Sequence, residues 1–244
     1  MKPIKMVDLK GQYDAIKSEL DASLYSVLNT TSFINGPAVK EFQSNLQKYL
    51  NVKHVIPCAN GTDALQLALM SLNLHPGDEI ITTNFTFAST AEVVQLMGLK
   101  LKLVDINGKT FNIDPLSIEK AITSKTKAII PVHLFGQPAE MERILEIAKQ
   151  HKLQIIEDNA QALGATYTFK DGGKKKTGTI GHIGTTSFFP SKNLGAYGDG
   201  GAVYTDNDTL AKKIRILANH GMDKRYYHDL VGLNSRLDSM QAAI

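Results

Sequence analysis

The chain has 244 residues, 43% of them hydrophobic and 21% charged, and its 27 Lys and Arg against 24 Asp and Glu leave a net charge of +3. That suits a soluble protein of one large α/β domain or two small ones, with no case for nucleic acid and no apolar run near the ~20 residues of a membrane span. The lone Cys58 cannot close an internal disulfide, and the N-terminal residues lack the apolar core of a signal peptide, so a cytoplasmic protein is expected.

Over 13–28 the residues Ile16, Leu20, Leu24, Val27 and Leu28 recur at helical spacing and predict an amphipathic helix. Asn35-Gly36-Pro37 breaks the chain, and Val39, Phe42, Leu46 and Leu50 mark a second helix. Short apolar runs then alternate with helical stretches. The runs 54–59, 79–83, 100–104, 127–132, 154–157, 185–189 and 202–205 are predicted strands; 62–72, 88–98, 115–122, 141–151 and 208–219 are predicted helices. Lys170 and Lys174 to Lys176 surround a Gly-Gly turn and read as a solvated hairpin tip, and Cys58 reads as a buried structural thiol. Apolar strands separated by such helices make a largely parallel sheet covered on both faces, and these sheets bind ligands at the carboxyl ends of their strands.

After the first strand, Asn60-Gly61-Thr62-Asp63 opens a helix whose free N–H groups and dipole suit a phosphate; an ordinary N-cap by Thr62 suits the same residues equally well. After the second, Asn84-Phe85-Thr86-Phe87 sets aromatics at the sheet edge, where Phe87 can cover a flat ring, though aromatics are more commonly core. Asp158 and Gln161 follow the 154–157 strand. A buried carboxylate there needs a cation or hydrogen-bond donors, and the plainer role is a cap on a short helix. Lys192 lies between an apolar run and Gly195, Gly198, Gly200 and Gly201. A lysine held against apolar surroundings loses basicity by desolvation and becomes nucleophilic near neutral pH; a solvated turn lysine is the alternative.

An amine (Lys192), a carboxylate (Asp158), an amide (Gln161), a ring cover (Phe87) and a phosphate cradle (Gly61, Thr62, Ser187) together fit one ligand. It is a flat, phosphorylated, protonatable heteroaromatic aldehyde, pyridoxal 5'-phosphate. The glycines after Lys192 then read as backbone turning tightly beside a bulky cofactor.

Four segments carry a resemblance: Asn60-Gly61-Thr62-Asp63-Ala64-Leu65, Glu157-Asp158-Asn159-Ala160-Gln161, Ser187 to Gly195, and Gly232-Leu233-Asn234-Ser235-Arg236-Leu237-Asp238. In order and spacing they resemble the DegT/StrS family of pyridoxal-phosphate-dependent sugar aminotransferases, over nearly the whole chain. The resemblance implies that Lys192 carries the cofactor, that Asp158 pairs with its pyridine nitrogen, and that Gln161 lies near the ring hydroxyl. It puts Phe87 on the ring face and Gly61, Thr62 and Ser187 around the phosphate. Asn234 would reach the phosphate of a neighbouring subunit, implying a homodimer with shared sites, and Arg236 would contact an anionic substrate.

The fold implied is an α/β three-layer sandwich with a mostly parallel central sheet, the large domain of a type I pyridoxal-phosphate transferase. Residues 1–35 are expected to form a helical segment and 36–244 the cofactor-binding domain. Family members are longer, so their small C-terminal domain is expected to be absent from this chain. The activity implied is transfer of an amino group from glutamate or a similar donor to a nucleotide-linked keto-sugar, a UDP-linked sugar of surface-polysaccharide (O-antigen) biosynthesis. Members with histidine at the lysine position act as dehydratases, and Lys192 argues against that branch.

The competing expectation is a shortened, catalytically incompetent cofactor-binding or dimerisation module. A nicotinamide-dependent oxidoreductase is disfavoured because Gly61 stands without a G-x-G-x-x-G pattern. No metal is expected, since His133, His182, His220 and His228 lack close ligand pairs.

Overall fold

The computed structural model describes Ile4 and residues 6–244. The N-terminal stretch read as lacking a signal-peptide core therefore lies in part, at residues 1–3 and 5, outside the described residues. Every predicted helix forms. α1 (Leu9–Thr30) starts at Asp8, whose carboxylate accepts from Gly11 N at 3.1 Å, and α2 (Pro37–Leu50) starts on a proline, which has no N–H to leave unpaired. They are followed by α3 (Gly61–Ser71), α4 (Ser89–Leu96), α5 (Pro115–Ala121), α6 (Met141–His151), α7 (Asp208–Ala218) and a short α8 (Ser239–Ala243).

The strands are β1 (His54–Cys58), β2 (Glu79–Thr83), β3 (Lys100–Val104), β4 (Thr126–Ile130), β5 (Gln154–Asp158), β6 (Thr166–Thr168), β7 (Lys174–Lys176), β8 (Ile183–Ser187), β9 (Gly201–Thr205), β10 (Met222–Lys224) and β11 (Tyr227–His228). Seven form one sheet in the order β1-β9-β8-β5-β4-β2-β3, and only β9 runs against the rest, antiparallel to both neighbours. Pro57 is tolerated in β1 because this is an edge strand with a single partner. The lysine run is β7, one arm of a hairpin with β6, and not its tip; the turn between them takes Gly172 at φ 86°.

Side chains alternate between the two faces. One face, with Ile80, Ile130, Ile156 and Val203, packs under α3, α4 and α7 through Leu67, Leu69, Val93, Val94 and Ile214. The other face carries two clusters. Ile81, Ile129 and Ile155 pack under α5 and α6, whereas Val55, Ala202 and Tyr204 pack with α2 and α8. This is the expected three-layer α/β architecture. β8 begins two residues earlier than predicted because Gly184 is a strand residue: a Cβ there would fall 2.3 Å from Cε2 of the buried Tyr204 ring, which lies across it.

Candidate active site

Six strands end at one edge of the sheet, and the candidate residues gather along it. Asp158 is the last residue of β5 and is 5% exposed. Its Oδ2 accepts from Thr90 Oγ1 at 2.8 Å and its Oδ1 from Ala160 N at 3.2 Å. Burial pushes the carboxyl above its ordinary range, against the opposing pull of those two donors and of the nearby Lys192 charge. Sequence reasoning missed Thr90. The signal was a pair of threonines one helical turn apart where α4 begins, Thr86 Oγ1 and Thr90 Oγ1 being 3.0 Å apart.

Glu157, one residue earlier, faces the opposite side of the sheet and is fully buried. Its carboxylate accepts from Gly178 N (2.7 Å), Ile180 N (2.7 Å), Gly181 N (2.5 Å) and His133 Nε2 (2.8 Å). His133 Nδ1 accepts from Ala139 N at 3.1 Å, so the imidazole is the neutral tautomer with its proton on Nε2. This histidine is a core residue.

At the end of β1, Asn60 and not Thr62 caps α3, its Oδ1 accepting from Asp63 N at 2.8 Å. The first-turn N–H groups of Gly61 and Thr62 have no intrahelical partner, which is the arrangement that receives an anion. Gly61 lies flush on the end of β8, where a Cβ would come within 2.7 Å of Ser187 Cβ and 3.3 Å of Ser187 Oγ. Ser187 Oγ accepts from Phe189 N at 3.2 Å, leaving its hydroxyl proton free to donate. Cys58, just before this turn, is fully buried, and burial pushes its thiol far above the ordinary range. It is a structural residue.

Lys192 comes after β8 in a tight loop, its N donating to Phe189 O at 2.8 Å. It is half-buried rather than enclosed in apolar side chains. The glycines after it serve close packing of the chain on itself: a Cβ on Gly195 would fall 2.4 Å from Pro190 O, and one on Gly201 would fall 2.4 Å from Asn60 O. None of the four adopts positive φ, so what requires glycine here is close backbone contact.

Phe87 is 71% exposed beside this edge. Gln161 is half-buried, and its Oε1 accepts from Phe135 N at 2.7 Å. Phe135 and Phe111 both have left-handed backbones, φ 53° and 60°, a strain of ~1–2 kcal/mol for a residue with a Cβ. Their rings meet Phe85 at centroid distances of 6.5 and 6.0 Å. Neither turn has a signature in the sequence. Two further expected residues come from the segment after β11. Asn234 is exposed, bridging Asn219 near the end of α7, and Arg236 lines a separate cavity of about 270 Å³ with Arg215, Asn35 and Gln43.

A protein-family model described as the DegT/DnrJ/EryC1/StrS aminotransferase family matches residues 14–244. The chain is 50% identical over 241 residues to a pleiotropic regulatory protein of Geobacillus stearothermophilus, covering 99% of this chain and 63% of that one. It is 49% identical over 241 residues to a UDP-2-acetamido-2-deoxy-3-oxo-D-glucuronate aminotransferase of Pseudomonas aeruginosa, covering 99% and 66%. The crystal structure of NtdA from Bacillus subtilis with bound cofactor PMP superposes with a TM-score of 0.90 at 36% identity, covering 100% of this chain and 55% of that one. The chain thus spans just under two thirds of the length of these curated relatives.

Proposed function

The chain belongs to the DegT/DnrJ/EryC1/StrS aminotransferase family, and from that premise we propose that it binds pyridoxal 5'-phosphate and moves an amino group from glutamate, or a similar amino acid, to a keto-sugar carried on a nucleotide. The observation that carries this reading is the placing of a half-buried lysine, Lys192, just past the end of β8 and of a buried carboxyl, Asp158, at the end of the paired strand β5. Beside them lies the open first turn of α3.

The residues fit the cofactor on two observations. Gly61, having no Cβ, lets the first turn of α3 lie flush on Ser187, which sets two unpaired N–H groups beside a hydroxyl able to donate. Each Asp158 oxygen has a single donor, so the buried carboxyl has acceptor capacity left for a cationic N–H. When bound, the cofactor supplies an electron sink that makes an amino acid's α-proton labile. Asp158 holds a ring nitrogen in its protonated, cationic form by opposite charge, and Thr90 and Ala160 N hold Asp158 in place. Gly61 N, Thr62 N and Ser187 Oγ would take the phosphate, Phe87 would cover a ring face, and Gln161 would lie near the ring hydroxyl. Lys192 Nζ would carry the cofactor and, when free, would accept and return the α-proton.

The finer reading is a UDP-linked 3-keto sugar of surface-polysaccharide biosynthesis as acceptor. Support comes from the Pseudomonas aeruginosa relative, whose name specifies a UDP-linked 3-oxo sugar acid. Asn234 would serve the site of a second copy in a cytoplasmic homodimer, and Arg236 an anionic substrate. Residues 36–244 would be the cofactor-binding domain and 1–35 a helical segment packed on it. No helix among the described residues is long and apolar enough to cross a membrane.

The test is to load the chain with pyridoxal phosphate, reduce it with borohydride and map the peptides. The added mass is expected on the peptide containing Lys192, and a label elsewhere overturns the assignment. Glutamate added to the loaded chain is expected to bleach its visible band; an unchanged band sinks the transfer reading for this chain.

A further inference from the structure

The left-handed turn after β4 presents a main-chain donor to the site edge. Phe135 has φ 53° and ψ 26°, Gly136 comes next at φ 87°, and the turn sends Phe135 N to Gln161 Oε1 at 2.7 Å. Burial of the ring does not account for the strain, because Phe135 is 75% exposed and touches Phe85 edge-on, at 78° between ring planes. A Cβ on Gly136 would lie 3.6 Å from the main-chain oxygen of Gln161, so the loops after β4 and β5 run against each other at this point.

A primary amide has one accepting end and one donating end. Flipping Gln161 would set its NH₂ against the Phe135 N–H, donor to donor, so the contact allows one orientation. Nε2 donates to no atom among the described residues. The end of Gln161 turned away from Phe135 is therefore a free double donor, three positions past Asp158.

We propose that Phe135 is a positioning residue: its strained turn presents a main-chain N–H that fixes the Gln161 amide with NH₂ outward, so that the site favours a ring oxygen in its deprotonated, accepting form. The inference rests on the proposed function, in which the site takes pyridoxal phosphate and Gln161 lies at the ring oxygen. A side chain on one strand's loop is thus oriented by the backbone of the neighbouring strand's loop. The protonation state of the bound group depends on that orientation.

Two measurements test it. In the cofactor-free chain, hydrogen exchange at the Phe135 amide is expected to speed up about tenfold or more in Gln161→Ala and to keep its protection in Gln161→Glu, whose carboxylate still accepts. In the loaded chain, the pH midpoint of the visible absorbance is expected to rise by about one unit in both variants, because both lose the donor. Phe135→Asn, which keeps the N–H and tolerates the left-handed region, should retain the wild-type midpoint. Should Gln161→Ala fail to fold, Gln161→Met of similar length replaces it. Equal exchange in wild type and Gln161→Ala overturns the positioning role, even if the midpoint still moves and keeps Gln161 at the ring oxygen. An unmoved midpoint in Gln161→Glu overturns the donor role. If exchange changes as expected but the wild-type chain takes up no pyridoxal phosphate, the cofactor half of the inference is overturned.

Discussion

Glu157 and Asp158 leave β5 on opposite faces of the sheet, and the chain treats the two buried carboxyl groups differently. Glu157 receives four N–H donors from the protein, three of them main-chain amides of the 178–181 turn, and so closes the seam between the two clusters on its face. Asp158 receives two, from Thr90 and Ala160 N, with a lysine close by, and burial outweighs them all. A carboxylate fully matched by its own chain is a structural device. One left under-matched at a strand end is prepared for a cation brought from outside.

That contrast can be broken from either side. Glu157→Gln sets an NH₂ group among N–H donors and leaves buried amides unpaired, so a loss of about 3–5 kcal/mol in urea unfolding is expected. A loss below about 1 kcal/mol would put the seam elsewhere. Asp158→Asn keeps an oxygen for Ala160 N and should change stability by less than about 1 kcal/mol, yet lower amino transfer from glutamate by about 100-fold or more. Steady-state rates at saturating cofactor decide this, and similar losses of stability in both variants would erase the distinction.

Thr90→Val removes one of the two donors to Asp158, costing about 1.5 kcal/mol. It also has a pH signature. The folded-state pKa of Asp158 lies above its unfolded value of about 3.9. Its contribution is therefore fully present below that value and is lost as pH rises through the folded-state pKa. Thr90→Val should extend this decline to higher pH and Asp158→Asn should abolish it, as read from stability against pH in the cofactor-free chain. Asn60→Ala has the smallest expected effect, about 1 kcal/mol from loss of the α3 cap, with weaker phosphate retention.

Much of this was legible in the sequence. Short apolar runs marked the strands, and the search along the strand ends named Gly61, Asp158, Ser187 and Lys192 as candidates on sequence grounds. The Glu157 network was not legible, because three of its donors are backbone N–H groups that any residue but proline supplies. Gly184 was left outside the predicted strand because the Tyr204 ring that requires a glycine there lies on another strand. Thr62 looked like the cap because Thr and Asn serve equally, and only the backbone direction at Asn60 decides between them. The strained turns at Phe111 and Phe135 had no local signal, since neither residue favours positive φ.

β9 also sets when the site can exist. Being antiparallel, it starts at the edge where β1 and β8 end, so Gly201 sits across from Cys58 and against Asn60 O. The proposed phosphate cradle is therefore completed by a pairing between distant parts of the chain, among the slowest kinds of contact to close. A chain emerging from the ribosome carries Gly61 and Thr62 long before the proposed cradle around them can form. A ligand of this site should slow unfolding of the finished sheet while leaving the rate of its formation unchanged.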